Sequence, residues 1–238
     1  MSKPKPKLAV STPPQNPGLL NLIEAKRRWH YHPGAGDARR GFLGWHERGY
    51  LPHFDAPGVT QFVTWMLHDS FPVRRQPEWE GMLKEPDESL RRRKLEAWLD
   101  RGHGECWLRQ PAVAAEIERI LRTGDGNAYR LRAWVVMPNH IHLVVEVGDA
   151  PLSKLLNLWK GRSARAANQL LVRRGHFWAR EYFDTLVRDA AHLTRAIRYT
   201  ENNPVKAGLA HEPGNWLWSS ARGRAESGSH REGGPAAA

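Results

Sequence analysis

Two histidines separated by one residue begin an apolar run in the segment PNHIHLVVEV. They are His140 and His142, and the alternation of a β-strand places both imidazoles on one face, with Ile141 and Leu143 on the other. Two imidazoles at this spacing can share one divalent cation. A His-x-His pair alone is a weak signal, and two ordinary surface histidines near a turn are the alternative. Its position in an otherwise apolar strand favours the metal site, because buried polar groups are costly without partners.

A zinc hydrolase would require further ligands close to such a pair, as in the pattern HxHxDH. The residues that follow His142 are Leu143, Val144 and Val145, which offer no ligand atoms. Glu146 shares a strand face with His142 and is either an additional ligand or, as we expect, a solvated carboxylate. The sequence therefore does not favour the zinc hydrolase.

A tyrosine and an asparagine stand one helical turn apart in the segment IRYTENNPVKAGL. On a helix, Tyr199 and Asn203 share a face, and Tyr199 lies away from the centre of the apolar stripe. That stripe consists of Leu193, Ile197 and Thr200. Tyr199 is thus a candidate nucleophile and Asn203 a candidate ligand. Alternatively, Tyr199 covers a helix edge and Asn203 ends the helix, which we expect Pro204 to stop.

The two motifs together indicate attack on a phosphodiester. A tyrosine nucleophile requires a cation that stabilises the added negative charge on the phosphate. Two histidines and one amide oxygen would leave coordination positions open for phosphate oxygens, and Mg²⁺ or Mn²⁺ suits such a site. The resulting phosphotyrosine bond retains the energy of the broken linkage, so that rejoining would need no ATP.

The order of predicted elements is β-α-α-β-β-α-(β)-α, which indicates an α+β fold with a central antiparallel sheet rather than a doubly wound parallel sheet. Strands are predicted at 60–67, 129–136 and 141–147, and a shorter extended piece at 177–188. Helices are predicted at 87–99, at 111–123 after a first-turn proline, at 152–172, and from Ala190 with Asp189 as N-cap.

The composition predicts a nucleic-acid partner. The 238 residues carry a net charge of +11, an excess that attracts polyanions, although a solvated basic surface is the alternative. The chain shows neither an apolar run long enough for a membrane span nor a signal peptide. The single Cys106 fits a reducing cytoplasm and a buried filler role. The Pro-, Lys- and Ser-rich segment 1–18 and the tail 223–238 are predicted to be disordered around one domain, 19–222.

The residues from about Arg48 to Ser220 resemble the tyrosine transposases of the HUH class, and in particular the REP-associated tyrosine transposases of the IS200-like superfamily. The resemblance rests on the order and spacing of PNHIHLVVEV, LSKLLNLWKG, FWAREYFDTLVRD, IRYTENNPVKAGL and NWLWSS. The N-terminal stretch RGYLPHFDAPGVTQFVTWMLHDSFP is also similar to a subgroup of these proteins.

The resemblance implies one domain of ferredoxin-like character, in which about four to five antiparallel strands are flanked by helices. It implies His140, His142 and Asn203 as metal ligands and Tyr199 as the nucleophile, with Asn203 standing where related insertion-sequence enzymes often carry Gln. It further implies cleavage of single-stranded DNA next to hairpins, through a 5′-phosphotyrosine with a free 3′-hydroxyl. Tyr182, in REYFD, is the rival nucleophile, but no amide follows it by one helical turn.

Single-strand binding combines cations that contact phosphates with aromatic rings that stack on bases. We predict two groups of DNA contacts: Trp159, Lys160, Arg162 and Arg165 on one helix, and Arg180, Arg188 and Lys206 near the nucleophile. The segment 74–110 is longer than a minimal core needs, and is either a DNA-binding element or a solvated helical insertion. We expect a cytoplasmic, nucleoid-associated protein, monomer or homodimer. A hairpin-binding regulator without cleavage, or a phosphodiesterase that uses water, are the alternatives.

Overall fold

The computed structural model of the protein describes residues 31–47, 52–85 and 87–222. The segments 1–18 and 223–238, predicted to be disordered, lie outside these described residues. Within them, strands and helices form an α+β arrangement with an antiparallel sheet at its centre, as predicted.

The central sheet has four antiparallel strands: β3 (Thr60–Met66), β4 (Tyr129–Val136), β5 (His140–Val147) and β6 (Phe183–Leu186), in the order β4-β5-β3-β6. Every residue of β5 except Glu146 is buried, because helices cover both faces of this central strand. Of the extended piece predicted at 177–188, the four residues of β6 form a strand, and Trp178 adds a single bridge to Leu67.

A two-stranded hairpin precedes the sheet and follows the short helix α1 (Ala35–Arg40). Its strands are β1 (Gly44–Glu47) and β2 (Pro52–Asp55). The Asp184 carboxylate on β6 hydrogen-bonds Nδ1 of His53 and accepts from Nε2 of Gln61 over 3.0 Å. These buried polar contacts hold the hairpin against the edge of the sheet, an arrangement that the sequence did not predict.

The helices divide between the two faces of the sheet. They are α2 (Gln76–Leu83), α3 (Glu88–Leu99), α4 (Pro111–Arg122), α5 (Leu152–Leu170) and α6 (Ala190–Lys206). α4 and α5 form the large core with Ile141, Leu143 and Val145 of β5. The opposite face carries His140, His142 and Val144, and α6 packs there through Ala196. The alternation of β5 thus directs its apolar side chains into the large core and both histidines towards α6.

α6 begins at the predicted N-cap, where Asp189 accepts a hydrogen bond from the backbone N–H of His192 over 2.7 Å. The prediction that Pro204 stops this helix is wrong, since α6 continues to Lys206. Proline removes the hydrogen bond of its own N–H and crowds the preceding turn, but the backbone after it remains hydrogen-bonded here. The carbonyls of Asn203 and Pro204 still accept from the amides of Ala207 and Leu209, over 2.9 and 2.8 Å. Asn203 therefore remains within the helix, one turn after Tyr199.

No helix among the described residues combines the length and the apolar character needed to cross a bilayer.

Candidate functional site

The two histidines of β5 meet through their ring nitrogens. Nε2 of His140 lies 3.1 Å from Nε2 of His142, and both side chains are buried. Nδ1 of His140 lies 2.7 Å from Oδ1 of Asn139, an amide whose Nδ2 donates to the carbonyls of Leu99 and His103. Because an amide oxygen only accepts, Nδ1 of His140 donates, and a neutral His140 ring therefore presents a lone pair at Nε2.

His142 is oriented by a neighbouring strand. Its partner across the β3–β5 ladder is Thr64, whose Oγ1 lies 2.8 Å from Nδ1 of His142. A hydroxyl can donate or accept, so Thr64 suits either tautomer of the ring. When Thr64 accepts from Nδ1–H, His142 presents a second lone pair at Nε2, beside that of His140. This contact is the kind of outer hydrogen bond that fixes a metal-ligating histidine.

Burial keeps both rings uncharged. It lowers the pKa of His140 to about 3, with a smaller effect from the charge of Lys206. Burial also lowers the pKa of His142 well below its usual range, and the charges of His140, Arg92 and Lys206 act in the same direction. Neutral imidazole is the form that coordinates a cation.

Tyr199 lies beside this pair. Its ring centroid is 5.5 Å from that of His142 and 5.7 Å from that of Phe62, edge-on in both cases. Its phenol oxygen accepts a hydrogen bond of 3.2 Å from Nδ2 of Asn203. α6 packs on the histidine face of the sheet, which brings the two motifs together although 57 positions separate His142 from Tyr199.

Charged side chains of α3 and of the end of α6 lie beside the Tyr199 ring. The guanidinium carbon of Arg92 lies 5.1 Å from the Tyr199 ring centroid, and Nε of Arg92 donates to Glu96 over 2.8 Å. Lys206 places its Nζ 5.6 Å from the same centroid and 3.2 Å from Oδ2 of Asp100. Burial raises the pKa of Tyr199 above its ordinary value, the Glu96 carboxylate raises it further, and Arg92 opposes the rise.

The residues present fit a divalent cation. Among the described residues, no group of three or more His, Cys, Asp or Glu side chains is arranged to hold a metal, so a metal here requires an amide ligand. Oδ1 of Asn203 is buried and has no hydrogen-bond partner within the described part of the chain. A buried acceptor without a partner costs about 1–3 kcal/mol. A cation bound by this oxygen and by the two Nε2 atoms would satisfy it.

The two residues considered as alternatives have other contacts. Tyr182 is buried in the large core and stacks on His53, with ring centroids 4.4 Å apart. Glu146, considered as a solvated carboxylate or an additional ligand, forms an ion pair with Arg132 on β4. The hydrogen bond to Asn203 distinguishes Tyr199 from Tyr182.

The first predicted group of DNA contacts lies on α5, and its four side chains differ in how far they are buried. Trp159 is 1% exposed, stacks on Trp65 and donates to the Tyr129 hydroxyl over 3.1 Å. The prediction that Trp159 stacks on DNA is therefore wrong, because its large ring completes the core. Lys160 donates to the carbonyls of Ala179 and Arg180, and burial lowers its pKa to about 8. Arg162 and Arg165 are exposed.

The second predicted group lies closer to the tyrosine. Lys206 contacts the Tyr199 ring, and Arg188 lines a cleft that also includes Thr64 and Arg92. Arg180 is exposed on the loop before β6. The site also includes Thr64, Asn139, Arg92 and Glu96, which the sequence analysis missed. Only the position of Thr64, within the strand predicted at 60–67, could have suggested its role.

Comparison with known proteins gives one family match. Residues 108–203 match the model of the family described as Transposase IS200 like, a segment that contains His140, His142, Tyr199 and Asn203. The resemblance to the IS200-like transposases is thereby confirmed over these residues. No match is found among curated proteins.

Two solved structures are similar to this chain. One is a REP-associated tyrosine transposase bound to a REP hairpin, 16% identical, with a TM-score of 0.46, covering 77% of this chain and 87% of the other. The second is a candidate transposase from Deinococcus radiodurans R1, 18% identical, with a TM-score of 0.31, covering 66% of this chain and 96% of the other.

Proposed function

We propose that the protein, whose residues 108–203 match the family described as Transposase IS200 like, cleaves and rejoins single-stranded DNA next to hairpins. In this proposal Tyr199 is the nucleophile, and His140, His142 and Asn203 would hold a Mg²⁺ or Mn²⁺ ion. The observation that supports this proposal is that the Tyr199 ring contacts His142, whose Nε2 lies 3.1 Å from that of His140, and that the phenol is bonded to an amide with a buried, unpartnered oxygen.

In the proposed cleavage, the phenol oxygen of Tyr199 forms a bond with the phosphorus, and the bond from phosphorus to the 3′ oxygen breaks. The products are a 5′-phosphotyrosine and a 3′-hydroxyl, and the reverse reaction reseals a strand. The bound cation would withdraw charge from the phosphate in the transition state. The phenol proton passes to the Glu96 carboxylate, whose charge acts on the phenol. The 3′ oxygen takes up a proton from water as it leaves.

Charged side chains around Tyr199 suit a polyanionic substrate. Arg92 and Lys206 lie on the ring of the nucleophile, and the net charge of the chain is +11. Phosphate neutralisation by such cations, with release of counterions, supplies binding energy that falls as the salt concentration rises. The proposal includes a DNA hairpin because of the family resemblance.

The decisive experiment incubates the protein with end-labelled single strands that contain a hairpin, with Mn²⁺ or with EDTA, followed by a denaturing gel. We expect a covalent protein–DNA band with Mn²⁺, none with EDTA and none with Tyr199→Phe. Tyr182→Phe is the matched control and should retain the band. Binding without a covalent band in the unmodified protein would instead support a hairpin-binding regulator. Cleavage by Tyr199→Phe would support attack by water.

A further inference from the structure

A cleft lies beside the candidate site and shares Thr64, Arg92 and Glu96 with it, but most of its lining has no role in the proposed bond breakage. It contains about 810 Å³ of empty space, part of it open solvent, and is lined by β1, β2, β3, α3 and β6. One wall consists of Arg91, Arg92, Leu95 and Glu96 of α3, a helix within the segment 74–110 whose role the sequence left open.

The lining of the cleft combines aromatic rings with cations. Trp45 and Phe183 line it and are partly exposed, whereas Phe54 and Phe62 lie deeper and are buried. Arg91 and Arg188 also line the cleft. Aromatic rings beside cations are the combination that binds unpaired nucleotides, with the rings stacked on bases and the cations near phosphates.

The two carboxylates in the cleft have positively charged or hydrogen-bonding neighbours. Glu96 accepts from Arg92, and Asp184 accepts from His53 and Gln61. The guanidinium of Arg91 donates to the neutral backbone carbonyl of Glu85 over 2.8 Å, a bond that leaves its charge in place. The cleft therefore favours an anionic ligand with a planar apolar part.

The cleft is continuous with the candidate site. Thr64 lines it and bonds His142, while Phe62 lines it and contacts the rings of both His142 and Tyr199. A nucleotide in the cleft would thus be adjacent to a phosphate held at Tyr199.

We propose that this cleft binds one unpaired nucleotide neighbouring the scissile phosphate, with its base against Trp45 and Phe183 and its phosphate near Arg91 and Arg188. The inference rests on the proposed function, because it assumes a single strand at Tyr199. It assigns α3 a role in recognising the DNA flank.

The test is an abasic scan with the full chain carrying Tyr199→Phe, so that binding is measured without turnover. Hairpin oligonucleotides receive a single abasic site at each position near the cut. We expect one position at which base removal weakens binding about tenfold. Adding Trp45→Leu should weaken binding of the intact strand to a similar extent, and should abolish the effect of base removal at that position alone. Trp107→Leu, another partly exposed tryptophan outside the cleft, is the control. If the effects of base removal and of Trp45→Leu on binding were additive at every position, the proposal would be overturned.

A second pair of variants leaves Trp45 in place, so its result does not depend on whether the β1–β2 hairpin of the protein stays folded without that side chain. Arg91 and Arg93 lie on the same helix, but only Arg91 lines the cleft, and Arg93 is exposed. Arg91→Gln should reduce the slope of log K against log salt by about 1, whereas Arg93→Gln should leave it unchanged. Equal slopes for the two variants would also overturn the proposal.

The two proposals fail in different ways. A covalent adduct without any position coupled to Trp45 overturns the cleft alone. Coupling to Trp45 in a protein that forms no adduct overturns the cleavage reaction, and supports the cleft as a nucleotide site.

Discussion

Asn203 donates its side-chain N–H to the phenol oxygen of Tyr199, while its own carbonyl oxygen is buried without a hydrogen-bond partner among the described residues. One amide can therefore serve two neighbours, because its nitrogen donates to the phenol and its oxygen is left for a cation in the proposed site. The i,i+4 spacing on α6 makes this arrangement possible, and it survives because Pro204 does not end the helix.

The first prediction concerns metal affinity at Asn203. Asn203→Leu removes the oxygen and should weaken Mn²⁺ binding about tenfold or more, since only two imidazoles remain. Asn203→Asp keeps an oxygen and adds negative charge, so it should bind Mn²⁺ at least as tightly as the unmodified protein. Isothermal titration with Mn²⁺ measures both. Equal affinity in Asn203→Leu and the unmodified protein would exclude Asn203 as a ligand.

The second prediction concerns Thr64, which holds His142 from the neighbouring strand. Thr64→Val has nearly the same shape but loses the hydroxyl 2.8 Å from Nδ1. We expect Mn²⁺ affinity to fall about 10- to 100-fold, because the ring loses the partner that orients it. Thr200→Val is a useful comparison, since that hydroxyl donates only to a carbonyl of its own helix. A similar loss in both variants would point to general destabilisation instead.

The third prediction separates two effects of Glu96 on the nucleophile. Glu96→Gln removes a charge that raises the pKa of Tyr199, so the phenol should ionise at lower pH, as measured by ultraviolet titration against Tyr199→Phe. Adduct formation at neutral pH should nevertheless slow by about 10²–10⁴-fold, the usual effect of losing a proton acceptor. An adduct rate that increases would show that Glu96 acts on the phenol only through its charge.

The fourth prediction follows from burial of the two histidines. Their folded pKa values lie below the ordinary 6.5, at about 3 for His140, so the unfolded chain binds protons first as the pH falls. The stability that they contribute is present above about pH 6.5 and is lost progressively towards the folded pKa. As the pH falls over this range, each histidine should lower the free energy of unfolding by up to about 1.4 kcal/mol per pH unit.

Urea unfolding at pH 7 and pH 5, in the absence of added metal, measures this loss. His140→Gln and His142→Gln should each flatten the dependence on pH. His211→Gln, at an exposed position, should not. An unchanged pH dependence in both buried variants would mean that their protonation is not linked to unfolding.

Local sequence patterns predicted the parts of the fold and site that depend on near neighbours. Strand alternation placed His140 and His142 on one face, and helical spacing placed Asn203 beside Tyr199. Apolar runs located β3, β4 and β5, which match the structure closely. These features depend on the backbone period alone, which is why they can be deduced from one sequence.

Contacts between distant segments could not be deduced in this way. The pairing of Thr64 with His142 depends on the register of two strands 78 positions apart. The position of Glu96 near Tyr199 depends on how α3 packs on the sheet. Trp159 shows the converse error, because a tryptophan between basic residues resembles a stacking platform until the packing of α5 shows it to be core.

The helix that carries Arg91, Arg92 and Glu96 ends at Leu99, before the family match begins at residue 108. The proposed nucleophile and metal ligands thus lie within the family match, whereas one wall of the cleft, with the proposed proton acceptor Glu96, comes from an earlier stretch of the chain. If both proposals hold, changes in the earlier stretch that spare Glu96 would alter which DNA flanks are bound while the later stretch retains the nucleophile and the metal ligands.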